Sequence, residues 1–262
     1  MLAPGFYNMD CMEGMKQFPD KYFDLAIVDP PYGGGGSNKD ADAGGIVGGV
    51  QTSRTESAAD LAPGSISTTL QAQPIKVTRT GGKWFAKRYK AGAIFSNASI
   101  QHWDIAPDES YFRELARVSK NQIIWGGNYF NLPPTRCFVV WEKTIPENFS
   151  MAMCEYAWTS FNDNAKSFIC PPQGTSREKR FHPTQKPVRL YSWLLGRYAK
   201  AGDRILDTHV GSASSLIACH RAGLEFVGFE IDTEYYQAAR ERLEREIAQV
   251  NIYDLCNEQE AP

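Results

Sequence analysis

The chain has 262 residues, of which 42% are hydrophobic and 12% aromatic, as expected of a globular protein with a sizeable core. Its formal net charge of −2 excludes a strongly basic protein held to nucleic acid by overall attraction. No apolar stretch approaches the roughly 18 residues of a membrane span, and the six cysteines include no CxxC pair. We therefore expect a reduced, cytoplasmic protein with no membrane association, no disulfide framework and no metal site.

The first part of the chain places a short ordered region before a long stretch of small residues. Residues 6–10 predict a strand, residues 12–18 a helix, and residues 24–28 a buried strand that ends in a turn. From residue 33 onward the chain is rich in Gly, Ala, Ser and Thr, which bury too little apolar surface to offset chain entropy. We expect a flexible insertion over residues 33–92, with a basic and aromatic end at residues 76–90.

The remainder of the chain alternates between helix and strand patterns. Helices should begin at the caps Asp108 and Asp232 and at Pro187. The last of them should bury a stripe with helical spacing: Tyr235, Ala239, Leu243 and Ile247. Strands are predicted at residues 122–125, 137–141, 155–161, 204–207 and 225–230, with the second and third pairing as a hairpin. This alternation indicates a mostly parallel sheet with helices on both faces.

Acidic side chains end three of the predicted strands: Asp29, Asp207 and Glu230. Because ligands of such sheets bind beyond the carboxyl ends of the strands, we expect one cleft to collect all three. The segment Asp29-Pro30-Pro31-Tyr32 suits a planar base that bears an amino group. The Asp29 carboxylate and the Pro30 carbonyl can accept its two hydrogens, and the Tyr32 ring can stack on the base. Residues 205–214 predict a strand, a small-residue turn and a helix, which suit a nucleotide-like cofactor.

Four sequence blocks occur in a family order: DPPY at residues 29–32, NQIIWGGNYF at 121–130, HPTQKP at 182–187 and LDTHVGS at 206–212. They resemble the beta class of amino-group DNA methyltransferases, and especially its adenine-N6 enzymes of phage and restriction-modification type. The resemblance implies an α/β fold, a circularly permuted class-I methyltransferase (Rossmann-like) domain whose seven-stranded sheet ends in an antiparallel pair, with helices on both faces. It also implies one methyltransferase domain over residues 1–262, with a small target-recognition region at about residues 143–181.

The same resemblance implies methyl transfer from S-adenosylmethionine to adenine N6 in DNA, with the target base flipped out of the duplex. The catalytic residues that it implies are Asp29, Pro30, Pro31 and Tyr32. The cofactor-binding residues that it implies are Asp10, Cys11, Asp29, His182, Thr184, Gln185, Lys186, Asp207, Thr208, His209, Gly211, Ser212, Ser214, Glu230 and Ile231. Among these, Glu230 should accept the ribose hydroxyls, and residues 184–186 should help to anchor the methionine carboxylate.

Two positions depart from the family pattern. An aromatic residue usually follows Asp-Pro, where this chain has Thr208 and His209, and the cofactor turn usually reads GSG, where this chain has Ala213. Alanine is tolerable at this position only if the turn needs φ below zero there and leaves room for a methyl group, since alanine adopts a positive φ only at a cost. Ordinary structural roles also stay open for three residues of the site. These are a helix cap for Thr184, a solvated charge for Lys186, and a surface or capping carboxylate for Glu230.

Contacts to double-stranded DNA should come from local basic patches, because the net charge is negative. The expected DNA-binding residues are Lys83, Trp84, Lys87, Arg88, Arg177, Lys179 and Arg180. Two alternatives stay open. One is methylation of cytosine N4, which uses the same chemistry but more often a serine in place of Asp29, and the other is a catalytically silent DNA-binding accessory protein. A homodimer and a cognate restriction endonuclease are also left open as partners.

Overall fold

The computed structural model describes residues 1–33, 105–147, 152–172 and 180–249. Eight strands occur in these ranges: β1 (Gly5–Asn8), β2 (Phe23–Val28), β3 (Ser119–Trp125), β4 (Phe138–Glu142), β5 (Cys154–Thr159), β6 (Lys166–Ile169), β7 (Arg204–Asp207) and β8 (Glu225–Glu230). The α-helices of the same ranges are α1 (Cys11–Met15), α2 (Glu109–Val118), α3 (Val188–Tyr198), α4 (Ser214–Arg221) and α5 (Thr233–Ile247). A 3-10 helix follows β3 at Gly127–Tyr129.

The insertion expected at residues 33–92 lies outside the described residues, apart from residue 33. None of the helices in the described ranges could span a lipid bilayer.

The eight strands form one sheet in the order β1-β8-β7-β2-β3-β5-β4-β6. Neighbours from β1 to β3 are parallel, β5 is antiparallel to both β3 and β4, and β6 pairs parallel with β4. β2 and β7 are neighbours near the middle of the sheet. From β2 the chain continues to β3, toward one edge of the sheet, and from β7 it continues to β8, toward the other edge. A topological switch point therefore lies between β2 and β7, which is where parallel α/β sheets place their ligand crevice.

Both faces of the sheet are covered, because β2 alternates its side chains between two cores. Leu25 and Ile27 belong to a core that also contains Leu194 of α3. Val28, on the opposite face, belongs to a second core with Leu115 of α2. Alternate positions of a strand point to opposite sides, so a strand that is apolar at every position must be buried on both. The expected α/β sheet with helices on both faces is confirmed.

The sheet has one strand more than the seven that were expected. β6 adds a short edge strand beside β4, and its residues are alternately half-buried and exposed. Its two apolar residues, Phe168 and Ile169, are adjacent and do not alternate with polar ones, which is why the sequence pattern did not indicate a strand there. The hairpin expected from residues 137–141 and 155–161 is confirmed, since β4 and β5 pair antiparallel.

The last helix begins at its predicted cap, Asp232. Ala239 and Leu243 are buried as expected, but Ile247 is 50% exposed, so its place in the buried stripe is wrong. Steps of four residues advance roughly 40° around a helix of 3.6 residues per turn, so a stripe built on them rotates away from the core. Arg242 is buried instead, and it faces the turn that precedes α4.

Candidate functional site

A cavity of about 980 Å³ opens beyond the carboxyl ends of β2 and β7. Five segments contribute to its lining: residues 9–11, 29–32, 182–186, 208–212 and 230–232. Trp141, Lys143 and Glu155 add to the lining from the region of the β4–β5 hairpin. The structure thus brings the DPPY segment and the turn after Asp207 to the same cavity, although they lie far apart in the chain.

Two contacts fix the position of Tyr32 beside this cavity. Its hydroxyl donates to Asp29 Oδ1 at 2.7 Å, and its ring stacks on Tyr129 with centroids 4.8 Å apart and planes inclined by 21°. Burial, followed by the charge of Asp29, raises the pKa of Tyr32 well above its ordinary value, so its phenol remains a donor. A Cβ at Gly126, where φ is +67°, would lie 2.2 Å from the Tyr32 ring. The GGNYF block therefore supports Tyr32, a role that sequence reasoning missed.

Lys186 is buried between two carboxylates. Its Nζ donates to Asp29 Oδ2 and lies 3.2 Å from Glu155 Oε2. Lys143 Nζ lies 2.6 Å from the other carboxylate oxygen of Glu155. The solvated charge considered for Lys186 is wrong, because its side chain is only 3% exposed. Its expected role at a methionine carboxylate would have to compete with Asp29 and Glu155.

We call these four residues, Lys143, Glu155, Lys186 and Asp29, the ion chain. Burial alone would raise the pKa of Glu155, but the ammonium groups of Lys186 and Lys143 lower it on balance. Burial alone would lower the pKa of Lys186, but Asp29 and Glu155 raise it on balance. Sequence reasoning missed Glu155 and Lys143. The available signal was a lone acid in the otherwise uncharged strand CEYAWT.

Asp207 shapes the turn after β7 from beneath the cavity. Its carboxylate accepts hydrogen bonds from the His209 backbone N–H, at 3.0 Å, and from the Ser215 hydroxyl. Burial raises the pKa of Asp207 to about 7. Among the described residues, the cavity lining includes Thr208 and His209 but not Asp207 itself. Asp207 therefore positions the residues that can meet a ligand.

Tyr111 of α2 contacts both Thr208 and His209. The Thr208 hydroxyl lies 2.6 Å from the Tyr111 hydroxyl and 2.9 Å from His209 Nδ1. The His209 ring packs edge-on against Tyr111 with centroids 5.5 Å apart. Burial lowers the pKa of His209 to about 4, so a neutral imidazole lines the cavity.

The turn continues through two left-handed residues, Gly211 with φ +54° and Ala213 with φ +62°. The condition of a negative φ at Ala213 is not met, because the chain must reverse here before α4 begins at Ser214. Arg242 of α5 donates to the Ser212 carbonyl at 2.7 Å and to Ser214 Oγ at 2.9 Å. A buried arginine from a distant helix thus braces this turn, and no local signal in the sequence indicated it.

Glu230 connects the ends of β7 and β8. Its Oε2 accepts from the Gly211 backbone N–H at 2.8 Å, and its Oε1 accepts from the Asp232 backbone N–H at 3.0 Å. Burial raises its pKa. The capping role considered for Glu230 is therefore present, and each oxygen keeps a lone pair for a further donor. On the same side of the cavity, Asp10 caps α1, and burial raises the pKa of the neighbouring Cys11 to about 12.

The HPTQKP block forms a compact loop before α3. The His182 ring packs edge-on against Tyr235 at 4.4 Å, and its Nδ1 lies 3.2 Å from the Thr184 hydroxyl. Burial, followed by the charges of Lys186 and Arg180, lowers the pKa of His182 to about 3. The helix cap considered for Thr184 is wrong, because the cap position of α3 belongs to residue 187.

Arg180 braces the same loop. Its guanidinium donates to the backbone carbonyls of residues 183 and 185, at 3.1 Å in each case, and the side chain lines the cavity. Its expected contact with DNA stays a prediction. The remaining expected DNA-binding residues lie outside the described residues: Lys83, Trp84, Lys87, Arg88, Arg177 and Lys179.

Comparison with known proteins supports the family assignment that the four sequence blocks predicted. The family model N6_N4_Mtase, described as DNA methylase, matches residues 68–241, about two thirds of the chain. The Type II methyltransferase M2.DpnII of Streptococcus pneumoniae is 43% identical over 65 residues, which are 25% of this chain and 24% of that protein. The Type II methyltransferase M.HpaI of Haemophilus parainfluenzae is 34% identical over 83 residues, which are 32% of this chain and 26% of that protein. The chain thus matches about a quarter of the length of these curated relatives.

A solved structure of a cytosine-N4-specific DNA methyltransferase, PvuII, is similar in fold. Its TM-score is 0.50 at 12% identity, and the match covers 94% of this chain and 91% of that chain. At this identity the likeness shows the fold alone, and it agrees with the α/β class expected from the sequence. The family match includes the HPTQKP and LDTHVGS blocks and begins after DPPY, which shares their cavity. The chain belongs to the N6_N4_Mtase family of DNA methylases, as its four sequence blocks predicted.

Proposed function

We propose that this protein transfers a methyl group from S-adenosylmethionine to an exocyclic amino group in DNA, and that the acceptor is adenine N6. One observation carries the proposal. Asp29, which can hold an amino group, and the turn at residues 208–212 line one cavity of about 980 Å³. A volume of this size is typical of sites for small ligands and cofactors. Membership of a DNA methylase family supports the choice of both substrates.

The groups around the cofactor turn fit S-adenosylmethionine. Glu230 would accept the ribose hydroxyls with the lone pairs that its two backbone donors leave free. Gly211 lets the backbone approach closely, since a Cβ there would already lie 3.1 Å from the His182 ring. The low pKa values of His182 and His209 leave both rings neutral, so neither would repel the positive charge of a sulfonium. When bound, the donor supplies a methyl group that is already strongly electrophilic.

Asp29 and the Pro30 carbonyl would act on the amino group that receives this methyl. The N6 lone pair of adenine is delocalised into the ring, so the amine is a poor nucleophile. Two acceptors for its hydrogens favour a pyramidal nitrogen and stabilise the positive charge that develops on it. The amine would take the methyl group from sulfur, which would keep the electron pair of the broken S–C bond, and Asp29 would accept the proton that the nitrogen then releases. No covalent intermediate with the protein is required.

The target base must leave the duplex, because a base stacked within the double helix cannot reach the groups that line the cavity. Tyr32 offers an aromatic face for the extruded base. The opposite face of its ring rests on Tyr129, which is 64% exposed and extends the aromatic surface outward. Stacking of one base on an aromatic side chain contributes about 1–3 kcal/mol, which helps to offset the cost of extrusion.

The choice of adenine rests on Asp29, since the cytosine-N4 group more often has serine at this place. The test is to incubate the protein with DNA and isotope-labelled S-adenosylmethionine, digest the DNA, and identify the methylated nucleoside by mass spectrometry. N6-methyladenine is the expected product. N4-methylcytosine would keep the proposed chemistry and replace the acceptor. Sequencing of modified bases in a host that expresses the protein would give the target sequence.

Replacement of Asp29 by alanine tests its assignment as a catalytic residue. Asp29→Ala should lower the methylation rate about 100- to 1000-fold, because the acceptor for the amino hydrogens is lost. Calorimetry should show that S-adenosylmethionine still binds, since Glu230 and the turn after Asp207 are unchanged. Methylation at the wild-type rate would remove the catalytic assignment. A wild-type protein that binds DNA but neither binds the cofactor nor methylates would be a silent accessory protein instead.

A further inference from the structure

The ion chain ties Asp29 to the region of the β4–β5 hairpin, which the proposed chemistry does not otherwise use. We propose that Glu155 is a positioning residue for methyl transfer, because it holds the Lys186 ammonium against the Asp29 carboxylate and so fixes the orientation of that carboxylate. The inference rests on the proposed function. It assigns a role to a side chain that need not touch the base or the methyl donor.

Glu155 acts on Asp29 through Lys186. In the sheet, β5 is separated from β2 by β3, and the Lys186 side chain bridges that gap at the edge of the cavity. Its Nζ donates to Asp29 Oδ2 and lies 3.2 Å from Glu155 Oε2. The Nζ also lies 5.4 Å from the ring centroid of Trp125, the last residue of β3. Groups that follow or belong to three neighbouring strands therefore surround one ammonium group.

Lys143 fixes the other end of the Glu155 carboxylate. Its Nζ lies 2.6 Å from Glu155 Oε1, and its backbone N–H donates to the Met153 carbonyl at 2.9 Å. The Nζ also lies 5.3 Å from the ring centroid of Trp141. Each oxygen of Glu155 is thus near a different ammonium group. The carboxylate cannot rotate without losing one of them, so it presents a fixed negative charge to Lys186.

The alternation of positive and negative charges explains how the ion chain can be buried. Two ammonium groups and two carboxylates sum to zero, whereas an isolated buried charge costs several kcal/mol. If Glu155 loses its charge, Lys143 loses the carboxylate that it contacts, and Lys186 keeps Asp29 but loses the second of its two carboxylates. Lys186 should then either move away from Asp29 or release its proton more easily. Both outcomes loosen the contact that orients Asp29.

The orientation of Asp29 matters because both of its oxygens are engaged. Lys186 donates to Oδ2, and Tyr32 donates to Oδ1 at 2.7 Å. These contacts set the plane of the carboxylate and hence the direction of the lone pairs left for an incoming amine. A misplacement of about 1 Å in a reacting group can lower a rate about 100-fold. A change at Glu155 should therefore slow the methyl-transfer step and leave the binding of both substrates intact.

A pH profile separates this role from simple structural support. The charged and titratable groups around Lys186 are Asp29, Tyr32, Lys143, Glu155, Arg180, His182, Tyr191 and Asp207. In Glu155→Gln, Lys186 keeps its burial, which lowers its pKa, and loses one of the two carboxylates that raise it. The alkaline limb of the rate profile should therefore move to lower pH. A purely structural defect would lower the rate without moving that limb.

The experiment compares single-turnover methylation rates of the full chain at saturating S-adenosylmethionine and DNA, from neutral to alkaline pH. Glu155→Gln should be about 10- to 100-fold slower than wild type, with an alkaline limb at lower pH and nearly unchanged dissociation constants for both substrates. Glu142→Gln is the matched control, because Glu142 is exposed and ends β4, next to Lys143 in the chain. It should keep the wild-type rate and profile. An equal shift in this control would overturn the proposal in favour of general electrostatics.

A second variant keeps the test informative if Glu155→Gln alone folds poorly. The double variant Lys143→Met with Glu155→Gln removes one cation together with its anion, so no additional buried charge is left unpaired. It should stay slow with a shifted limb, because Lys186 still lacks Glu155. Recovery of the wild-type rate and profile would show that Glu155 serves only to pair Lys143 and would overturn the proposal. An unchanged Glu155→Gln variant would do the same, whereas a wild-type protein that methylates no DNA would overturn the proposed function itself.

Discussion

The two sides of the cavity are built by different means. The Asp29 side consists of charged side chains from four separate segments, joined in the ion chain. The other side is built around one strand-turn-helix, whose backbone is held by Asp207 from within it and by Glu230 from the neighbouring strand β8. A wall made from local backbone can be recognised in one sequence block. A wall made from distant charges becomes visible only when the order of strands in the sheet is known.

Both sides nevertheless use a left-handed residue to aim the chain, and the two positions differ in what surrounds the Cβ. At Gly126 a Cβ would lie 2.2 Å from the Tyr32 ring. At Ala213 a Cβ is present and fully buried in an apolar cluster with Leu216 and Ile217. The same backbone conformation therefore excludes a methyl group on one side and accommodates it on the other.

Among the variants that test the difference between Gly126 and Ala213, Gly126→Ala should show the largest loss of methylation rate. The added methyl group must displace the Tyr32 ring, and with it the hydroxyl that donates to Asp29. Methylation should fall about 100-fold while S-adenosylmethionine binding, measured by calorimetry, stays near the wild-type value.

Gly202→Ala is the matched control for this change. Its φ of +86° strains an alanine in the same way, but no atom lies within 4 Å of the added Cβ. It should lose some stability and keep its methylation rate per folded molecule. Similar losses of rate in both variants would show that backbone strain, and not Tyr32, is the cause.

A smaller and more selective effect is expected on the other side, for Glu230→Gln. The amide keeps one acceptor but turns an N–H group toward the backbone donor of either Gly211 or Asp232. Loss of one charge-assisted contact should weaken S-adenosylmethionine binding about 10- to 100-fold. The methylation rate at saturating cofactor should change little.

Glu225→Gln provides the comparison, because Glu225 is exposed at the opposite end of the same strand, β8. Isothermal calorimetry should give it the wild-type dissociation constant. If Glu230→Gln binds as tightly as this control, Glu230 only caps the turn and does not contact the cofactor.

The contrast between local turns and contacts from distant segments explains which parts of the fold and of the cavity the sequence could predict. The strand ends at Asp29, Asp207 and Glu230 and the cap at Asp232 depend on neighbouring residues, and their patterns identified them correctly. The resemblance placed four blocks in one family because each block is a short local segment with fixed residue types. The meeting of DPPY with the turn after β7 followed from the general rule for parallel sheets.

What escaped prediction depends on contacts between distant segments. Glu155 faces Lys186 because β5 lies one strand away from β2 in the sheet, beyond β3, and that order is not written in either segment. Arg242 is buried because α5 packs over the turn at Ser212. The left-handed conformation of Ala213 follows from the direction that α4 must take, which outweighs the preference of one alanine for negative φ.

The smallest effect is expected for Ala213→Gly, because three contributions nearly cancel. Glycine relieves about 1–2 kcal/mol of left-handed strain, but it loses about 0.8 kcal/mol of methyl burial and about 0.4–1 kcal/mol through a more flexible unfolded chain. The free energy of unfolding in denaturant should therefore change by less than about 1 kcal/mol, and S-adenosylmethionine binding should stay within about tenfold. Ala239→Gly is the matched control, since Ala239 is buried in the same cluster but lies within the helix α5. Because there is no backbone strain to relieve at Ala239, the free energy of unfolding of this control should fall by about 2 kcal/mol. Equal losses in the two variants would mean that the turn at Ala213 carries no strain, and the contrast with Gly126 would then rest on the Tyr32 ring alone.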